Sequence, residues 1–152
     1  MWLYQDEEFT KEHAQEAIDA GFVGFVYEIT NTLNGKKYIG KKMLVSVRRK
    51  PPLKGKKRKR IVRTQSDWQK YYGSSNTVKE ILNESGKDIF KREILILCKS
   101  KGMLSYQEAK IQFDRNVLFD DTYYNEFIGC KIHASHFKGE KYAGNEGTKD
   151  ND

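Results

Sequence analysis

Two tyrosines and a lysine within one short stretch have residue types and a spacing that suit proton-transfer chemistry. Residues 26–42 read VYEITNTLNGKKYIGKK, so Tyr27 and Tyr38 stand eleven positions apart and Lys42 follows closely. A positive charge beside a phenol lowers the pKa of that phenol, which makes it a better proton acceptor from water. Cross-strand packing of aromatic rings is also a common use of tyrosine, so both interpretations stay open at this point.

A β-hairpin is the element that would position these side chains. The Asn34-Gly35 pair predicts a two-residue type I′ turn between strands at 22–31 and 36–42, because both central positions of that turn need positive φ. Strand alternation then places Tyr27 and Tyr38 on one face. In this register Lys42 lies opposite Tyr27, and Asn31 lies opposite Tyr38.

Positive charge is concentrated in one segment. The net charge is +7, and residues 41–63 hold 12 of the 28 basic residues and no acidic residue, which leaves 16 basic and 21 acidic residues elsewhere. Such a segment repels itself in a compact fold and suits a polyanion. Its contact with a phosphate backbone would weaken steeply with salt. The alternative is a solvated loop or a localisation signal, although interleaved apolar residues argue against pure disorder.

The elements around the hairpin can be read from capping residues and apolar periodicity. Thr10 is predicted to cap a helix that runs through Ala20. Residues 76–84 predict a second helix, and Ser105 is predicted to open a third. The apolar run at 89–98 predicts a third strand.

This order of elements predicts an α+β fold, with a small antiparallel sheet of about three strands flanked by helices. A long basic insertion, either loop or ribbon, is expected at about 43–63, followed by a short helix that opens at Ser66 or Asp67. Residues 1–138 are expected to form a single domain, and residues 139–152 have little to bury and are expected to be a disordered tail.

Composition excludes a membrane-spanning protein. No apolar run approaches the roughly 18–20 residues needed to cross a bilayer. The acidic N-terminus lacks the basic start and apolar stretch of a signal peptide, so a soluble, cytoplasmic protein with no membrane partner is expected. Cys98 and Cys130 lack CxxC spacing and are expected to be thiols rather than a disulfide or a zinc site.

Six short segments follow one another in order between about residues 22 and 130. They are Phe25-Val26-Tyr27, Tyr38-Ile39-Gly40, DWQKYYGSS, GKDIFKREIL, a helix containing Glu-Ala, and YYNE. This series resembles the GIY-YIG nuclease family, and most closely its phage Seg-type homing endonucleases. The second motif is intact and follows the first after the usual ten residues, whereas the first motif departs from Gly-Ile-Tyr.

The resemblance implies a metal-dependent DNA endonuclease of the phage homing or mobility type, which hydrolyses phosphodiester bonds. It implies that Tyr27 is the general base and that Tyr38 supports the water or the scissile phosphate. Glu108 would hold one divalent ion, magnesium or manganese, and Asn125 would order the site. A lone carboxylate with waters and substrate phosphate suits such a hard ion. Taken alone, Glu108 also fits a capping box with Ser105, and Asn125 fits an ordinary turn.

The family also places an arginine beside the scissile phosphate, on a helix soon after the second motif. Here the sequence departs from the pattern, because the basic insertion intervenes. Arg63 is the first choice for this arginine, and Arg49 or Arg48 is the second. The role of a family histidine would fall to Lys42, or to Tyr71 or Tyr72.

Double-stranded DNA is the expected partner, and a homodimer on DNA is one way for a small single-site nuclease to break both strands. The altered first motif and the displaced arginine keep an alternative open, which is a catalytically inactive DNA- or RNA-binding module with the same fold. The expected DNA-binding residues are Arg48, Arg49, Lys54, Lys56, Lys57, Arg58, Lys59 and Arg60.

Overall fold

Seven strands and three α-helices make up the described part of the chain, residues 1–139 of this computed structural model. In chain order they are β1 Trp2–Tyr4, β2 Glu7–Phe9, α1 Lys11–Asp19, β3 Gly24–Asn31, β4 Lys37–Met43, β5 Val45–Lys50, β6 Arg60–Gln65, α2 Asn76–Ser85, β7 Phe90–Cys98 and α3 Lys101–Asp114. The predicted disordered tail, 139–152, lies outside the described residues apart from Gly139.

Five of these strands form one sheet in the order β2-β1-β7-β3-β4, and β5 and β6 form a separate two-stranded ribbon. Neighbouring strands are antiparallel except β1 and β7, which are parallel. The α+β class is therefore confirmed. The predicted antiparallel sheet of about three strands is wrong, because the sheet has five strands and one parallel pair.

The two unpredicted strands, β1 and β2, come from the acidic N-terminus. Each is three residues long, which is too short for an alternating pattern to be visible. Gln5 and Asp6 join them with φ of 52° and 65°. The tight turn therefore has no glycine at its two positive-φ positions, so the usual sequence signal for such a turn is missing. Strand β1 places Trp2, which is 1% exposed, edge-on against Phe25 and Tyr27 at ring-centroid distances of 5.1 and 5.6 Å.

The sheet separates two apolar clusters because side chains alternate along each strand. One face of β3 carries Phe25, Tyr27 and Ile29, which pack with residues of α1 and α2. The other face carries Val26, which packs against residues of α3. The predicted helix capped by Thr10 is confirmed, and so is the helix predicted at 76–84.

The third helix begins earlier than predicted. Its N-cap is Ser100, whose hydroxyl accepts a hydrogen bond from the Met103 backbone N–H at 3.0 Å, so the prediction of Ser105 as the opening residue is wrong. Ser105 lies inside α3, where its hydroxyl accepts a hydrogen bond from Lys41 Nζ at 2.7 Å. Glu108 therefore has no N-terminal capping role.

The β3–β4 hairpin closes through a longer loop than predicted. Strand pairing ends at Thr30 and Lys37, and the Asn31 backbone N–H still donates to Lys36 O at 2.8 Å. The side-chain amides of Asn31 and Asn34 both donate to the Tyr124 hydroxyl, at 3.1 and 3.3 Å. This distant contact favours a loop of residues 32–35 over the predicted two-residue turn.

The longer loop shifts the register by two residues. Tyr27 pairs with Gly40 and Phe25 with Lys42, so the predicted pairing of Lys42 with Tyr27 is wrong. Tyr38 pairs with Ile29, not with Asn31 as predicted. Because the shift is even, Tyr27, Tyr38 and Lys42 still share one face of the sheet.

Two predictions from composition can be compared with the structure. Within residues 1–139, no helix is long and apolar enough to cross a bilayer. No disulfide joins Cys98, which is buried, to Cys130, which is exposed.

Trp2 should contribute strongly to the stability of the fold, because its side chain is almost fully buried. We expect Trp2→Ala to lower the free energy of unfolding by about 3–5 kcal/mol, because it leaves a cavity beneath β3. It also removes the hydrogen bond that Trp2 Nε1 donates to Trp68 O at 2.8 Å. Urea unfolding followed by circular dichroism measures this change. Leu33→Ala, at a position 75% exposed, is the control. A loss no larger than that of the control would contradict the packing of β1 described above.

Candidate active site

Tyr27 lies at the centre of an aromatic cluster on the face of the sheet that carries α1 and α2. Its ring is fully buried and contacts Tyr38 and Tyr71 at centroid distances of 6.3 and 5.7 Å. Within residues 1–139, the Tyr27 hydroxyl has no hydrogen-bond partner of acceptable geometry. Tyr71 still interacts with this hydroxyl, but without a well-aligned hydrogen bond the buried group contributes little to the stability of the fold.

Gly40 makes room for the Tyr27 phenol. A Cβ atom at position 40 would lie 2.4 Å from the Tyr27 hydroxyl oxygen and 2.7 Å from its Cζ atom. Gly73 approaches from the other side with φ of 91°, and a Cβ there would lie 3.3 Å from the same oxygen. The glycine of Tyr38-Ile39-Gly40 is thus required by close packing opposite Tyr27.

The altered first motif also has a packing reason. Phe25, which stands where the family pattern has glycine, is fully buried. Its ring lies edge-on to Trp2 from β1 and to Tyr27, the latter at 6.3 Å. Phe25 therefore completes the aromatic cluster and leaves the position of Tyr27 intact.

Burial controls the acidity of both candidate phenols. Desolvation raises the pKa of Tyr27 well above its ordinary value. The Tyr71 phenol adds to this rise through its charge and through a hydrogen-bond contact of poor geometry, and Tyr38 and Glu108 add to it through their charges. Burial also raises the pKa of Tyr38, partly offset by the hydrogen bond between its hydroxyl and Ser74 Oγ at 3.1 Å. The expectation that Lys42 lowers a tyrosine pKa is wrong for the described residues.

Lys42 is paired with a carboxylate that the sequence did not indicate. Its Nζ atom lies 2.6 Å from Asp67 Oδ1 and 4.4 Å from the centroid of the Tyr71 ring. The hydrogen bond to the Lys42 ammonium, with its charge, lowers the pKa of Asp67. Lys42 is thus held by Asp67, and it reaches Tyr27 only through the intervening Tyr71 ring.

Glu108 projects from α3 at the open edge of β4. Its side chain is 13% exposed, and its carboxylate lies 4.0 Å from Lys41 Nζ. Burial raises the pKa of Glu108, while the ammonium and the backbone N–H of Lys41 partly offset this rise. Glu108 in turn contributes to the raised pKa of Tyr27 and of Tyr38, so the three groups share one electrostatic environment.

Glu108 and its neighbours can be compared with the ligands that a divalent ion requires. Within residues 1–139, no group of three His, Cys, Asp or Glu residues could hold a metal by itself. Glu108 offers one poorly hydrated carboxylate near Tyr27, whose hydroxyl has no well-aligned hydrogen bond. One carboxylate completed by waters and substrate phosphate is a known way to hold magnesium, so these residues fit such an ion.

Asn125 holds the backbone of the second motif. Its Oδ1 atom accepts from Ile39 N at 3.0 Å, and its Nδ2 atom donates to Ile39 O at 2.8 Å. Gln112 Nε2 also donates to Ile39 O, at 3.0 Å. Asn125 is therefore not an ordinary turn residue, and its amide positions the strand between Tyr38 and Gly40.

Gln112 was not singled out by sequence reasoning. It stands four residues after Glu108, so both side chains project from the same face of α3 toward the edge of β4. That spacing is the signal that could have identified it.

The basic segment forms a ribbon, not a loop. Arg63 pairs with Val47 in the β5–β6 register and is exposed. Alternation places Arg49 on the same face of the ribbon as Arg63, and Arg48 on the opposite face. In the part of the chain that the structure describes, no hydrogen bond or ion pair joins Arg63 to Tyr27 or Glu108.

Around Tyr27 the structure places the Tyr38 ring in contact, and Glu108 near enough to raise its pKa. Lys42 reaches Tyr27 through the Tyr71 ring, and Asn125 holds the strand beside Tyr38. Among the described residues, Arg63 has none of these links.

The remaining predicted DNA-binding residues are all exposed. Arg60 begins β6, and the others lie in β5 or in the loop that joins the two strands. This exposed set is Arg48, Arg49, Lys54, Lys56, Lys57, Arg58, Lys59 and Arg60.

Comparison with known families gives one match. The family described as "Putative endonuclease segE, GIY-YIG domain" matches residues 2–128. This span runs from β1 to beyond Asn125 and includes the whole ribbon. Comparisons with curated proteins and with solved structures gave no match.

Removal of the Tyr27 hydroxyl should stabilise the protein. We expect Tyr27→Phe to raise the free energy of unfolding by about 1 kcal/mol, because a buried hydroxyl without a well-aligned hydrogen bond is replaced by apolar surface of the same shape. Urea unfolding at neutral pH measures the change. Tyr38→Phe is the matched control, and it should lower stability by up to about 1 kcal/mol because it loses the Ser74 hydrogen bond. A clear loss of stability in Tyr27→Phe would mean that this hydroxyl serves the fold.

Proposed function

The chain belongs to the GIY-YIG domain family of the segE endonuclease, and from this premise we propose that it is a metal-dependent DNA endonuclease of the phage homing or mobility type. The observation that carries the proposal is the buried Tyr27 hydroxyl, which has no well-aligned hydrogen bond, packs against Tyr71 and Tyr38, and has its pKa raised in part by Glu108. Proteins retain such poorly bonded buried groups where chemistry needs them.

Tyr27 is the proposed proton acceptor. In the proposed reaction the oxygen of a water molecule attacks phosphorus, a new P–O bond forms, and the bond from phosphorus to the 3′ oxygen breaks. Tyr27 acts as the phenolate, after its own proton has passed to solvent, and its oxygen takes the proton that the water loses. The departing 3′ oxygen takes a proton from solvent. Tyr38 is proposed to orient the water or the phosphate through its hydroxyl. Its side chain is partly exposed and can therefore contact the substrate.

The raised pKa of Tyr27 sets a condition on this role. A phenol that is protonated at neutral pH accepts no proton, so the site needs a positive charge beyond that of Lys42, which Asp67 already neutralises. A magnesium or manganese ion held by Glu108 would supply that charge, and it would also neutralise charge on the phosphate and the departing oxygen. Glu108 is the carboxylate proposed to hold it. Its side chain is 13% exposed, lies 4.0 Å from the Lys41 ammonium and accepts a hydrogen bond from the Lys41 backbone N–H.

Asn125 is proposed as a positioning residue. Both ends of its amide are occupied by Ile39, so it does not contact the substrate. It holds β4 in the register that keeps Gly40 beneath the Tyr27 phenol and Tyr38 beside it. Gln112 assists from α3.

The β5–β6 ribbon is the proposed DNA-binding element. A two-stranded ribbon fits the major groove of duplex DNA, and its exposed Lys and Arg side chains suit the phosphate backbone on both sides. Arg63 is the proposed contact to the scissile phosphate, with Arg49 on the same face as the next choice and Arg48 on the other face as the third. This ribbon also favours double-stranded DNA as the substrate.

A non-catalytic DNA-binding module is the second candidate function. Complete burial of Tyr27, with its raised pKa, favours this candidate, because a buried phenol is a poor base until a cation arrives. The two candidates differ in one outcome: the module binds DNA with strong salt dependence and cuts none of it.

Glu108→Gln tests whether Glu108 is needed for cleavage through metal binding and not for folding. The substitution keeps the shape and hydrogen bonding of the side chain and removes its charge. We expect cleavage of duplex DNA in magnesium to fall by at least about 100-fold, while DNA affinity and unfolding temperature stay near those of the unchanged protein. Gel analysis of the cleaved DNA measures the loss. Glu84→Gln, at an exposed position of α2, is the control and should retain activity. Full activity in Glu108→Gln would remove Glu108 from the metal site.

Removal of charge from the ribbon should weaken the salt dependence of DNA binding. Replacement of Lys56, Lys57, Arg58, Lys59 and Arg60 by serine should flatten the slope of log affinity against log salt by up to about 4.5, since each phosphate contact contributes about 0.9. Fluorescence anisotropy at several salt concentrations measures the slope.

The control for the ribbon variant removes the same charge from exposed positions elsewhere. An unchanged slope in the ribbon variant, or an equal change in the control, would mean that this run does not contact phosphate. The control substitutes serine at Lys11, Lys79, Lys99, Lys131 and Lys138.

A further inference from the structure

Lys42 and Asp67 form an asymmetric ion pair beside the candidate active site. The Lys42 side chain is 18% exposed, whereas that of Asp67 is 73% exposed, and Nζ lies 2.6 Å from Oδ1. The ammonium also lies over the Tyr71 ring at 4.4 Å from its centroid. Lys42 is therefore held from two sides, while Asp67 meets solvent on most of its surface.

The ion pair lies between the two parts of the proposed DNA-binding surface. Lys42 is on the same face of the sheet as Tyr27, and the Tyr71 ring beneath it contacts the Tyr27 ring edge-on at 5.7 Å. Three residues further along the chain, Val45 begins the basic ribbon. Because Lys42 lies just before the ribbon in the chain and contacts the Tyr71 ring, we expect a phosphodiester that extends from the ribbon to the phenols to come near this ammonium.

Asp67 follows a long part of the sequence that contains no acidic residue. No acidic residue occurs between Glu28 and Asp67, a stretch that contains the end of β3, the whole of β4 and the whole ribbon. Glu28 serves the other face of the sheet, where it pairs with Lys37 and Arg115. Asp67 is therefore the first carboxylate after this stretch, and it is paired with a lysine of the candidate site.

We propose that the Asp67 carboxylate occupies, in the free protein, the position that a DNA phosphate oxygen takes at Lys42. Carboxylate and phosphate oxygens accept the same charge-assisted hydrogen bond from an ammonium. Because Lys42 is mostly covered, one anion has to leave before another can bind. This proposal rests on the DNA-binding part of the proposed function and does not depend on cleavage.

The surrounding contacts leave the Asp67 side chain as the part that moves. The next residue, Trp68, is 1% exposed, and its backbone oxygen accepts a hydrogen bond from Trp2 Nε1. The Asp67 backbone is thereby anchored, whereas its carboxylate is exposed and leaves Lys42 by side-chain rotation. Exchange of carboxylate for phosphate requires no change in the fold.

Removal of the competing anion should tighten DNA binding. We expect Asp67→Asn to bind a duplex of mixed sequence about two- to five-fold more tightly than the unchanged protein, the size of effect that a partly exposed ion pair supports. Fluorescence anisotropy in EDTA measures affinity without cleavage. Circular dichroism verifies that the variant is folded.

The chain offers a matched control on α3. Lys110 and Asp114 form a second exposed pair with the same 2.6 Å separation, and Asp114 is 62% exposed. Asp114→Asn changes the net charge equally but lies outside the candidate site, so its affinity gain should be much smaller. In a Lys42→Met background, Asp67→Asn should give no gain, because the cation for which both anions compete is absent.

The outcomes separate this proposal from the proposed function. Equal gains in Asp67→Asn and Asp114→Asn would overturn it, since they would show only a long-range charge effect. A gain that persists without Lys42, or weaker binding by Asp67→Asn, would also overturn it. Absence of DNA binding by the unchanged protein would overturn both proposals, whereas binding without magnesium-dependent cleavage would overturn the nuclease activity alone.

Discussion

The backbone N–H and C=O groups along the outer edge of β4 need hydrogen-bond partners, and the rest of the candidate site depends on how they are supplied. β4 is the last strand of its sheet, so the outward backbone groups of Lys37, Ile39 and Lys41 would lack partners. The segment at 122–124 pairs with Lys37, while Asn125 and Gln112 bind Ile39. Glu108 interacts with the Lys41 N–H. The contacts that close the sheet thus also bring a carboxylate to the edge of the strand that carries Tyr38 and Gly40.

The face of β4 that lies against Tyr27 determines how the aromatic cluster packs. Gly40 has no side chain, so the Tyr27 phenol lies directly over the backbone of β4 in a space that a Cβ would fill. Burial there raises the pKa of Tyr27 and leaves its hydroxyl without a well-aligned hydrogen bond. A phenylalanine would pack equally well at this position. In the proposed mechanism this tyrosine serves chemistry more than stability, and a cation held by Glu108 would offset the effect of burial on its pKa.

The parts of the fold that were predicted correctly have local signals. Thr10 caps α1 through its own side chain, and the apolar run from Phe90 to Cys98 forms a central strand. Strand parity correctly placed Tyr27 and Tyr38 on one face, because a slip of two residues preserves parity. The resemblance to the family, based on six ordered segments, agrees with the match over residues 2–128.

The errors arose where a distant contact overrides a local signal. The Asn34-Gly35 pair favours a two-residue turn, but Tyr124 binds two asparagines of a longer loop. Strand β1 has too few residues to show a pattern, and it is defined by its pairing with β7 and by the burial of Trp2. The pairing of Lys42 with Asp67 joins residues 25 positions apart and has no signature in sequence.

The central claim is that this arrangement hydrolyses DNA when a divalent ion is bound. Incubation of the purified chain with supercoiled plasmid and magnesium, beside an identical reaction containing EDTA, tests it most directly. The account predicts conversion of supercoiled plasmid to nicked or linear forms in magnesium and none in EDTA. Salt-sensitive retention of the plasmid on a gel with no cleavage in magnesium or manganese would contradict it.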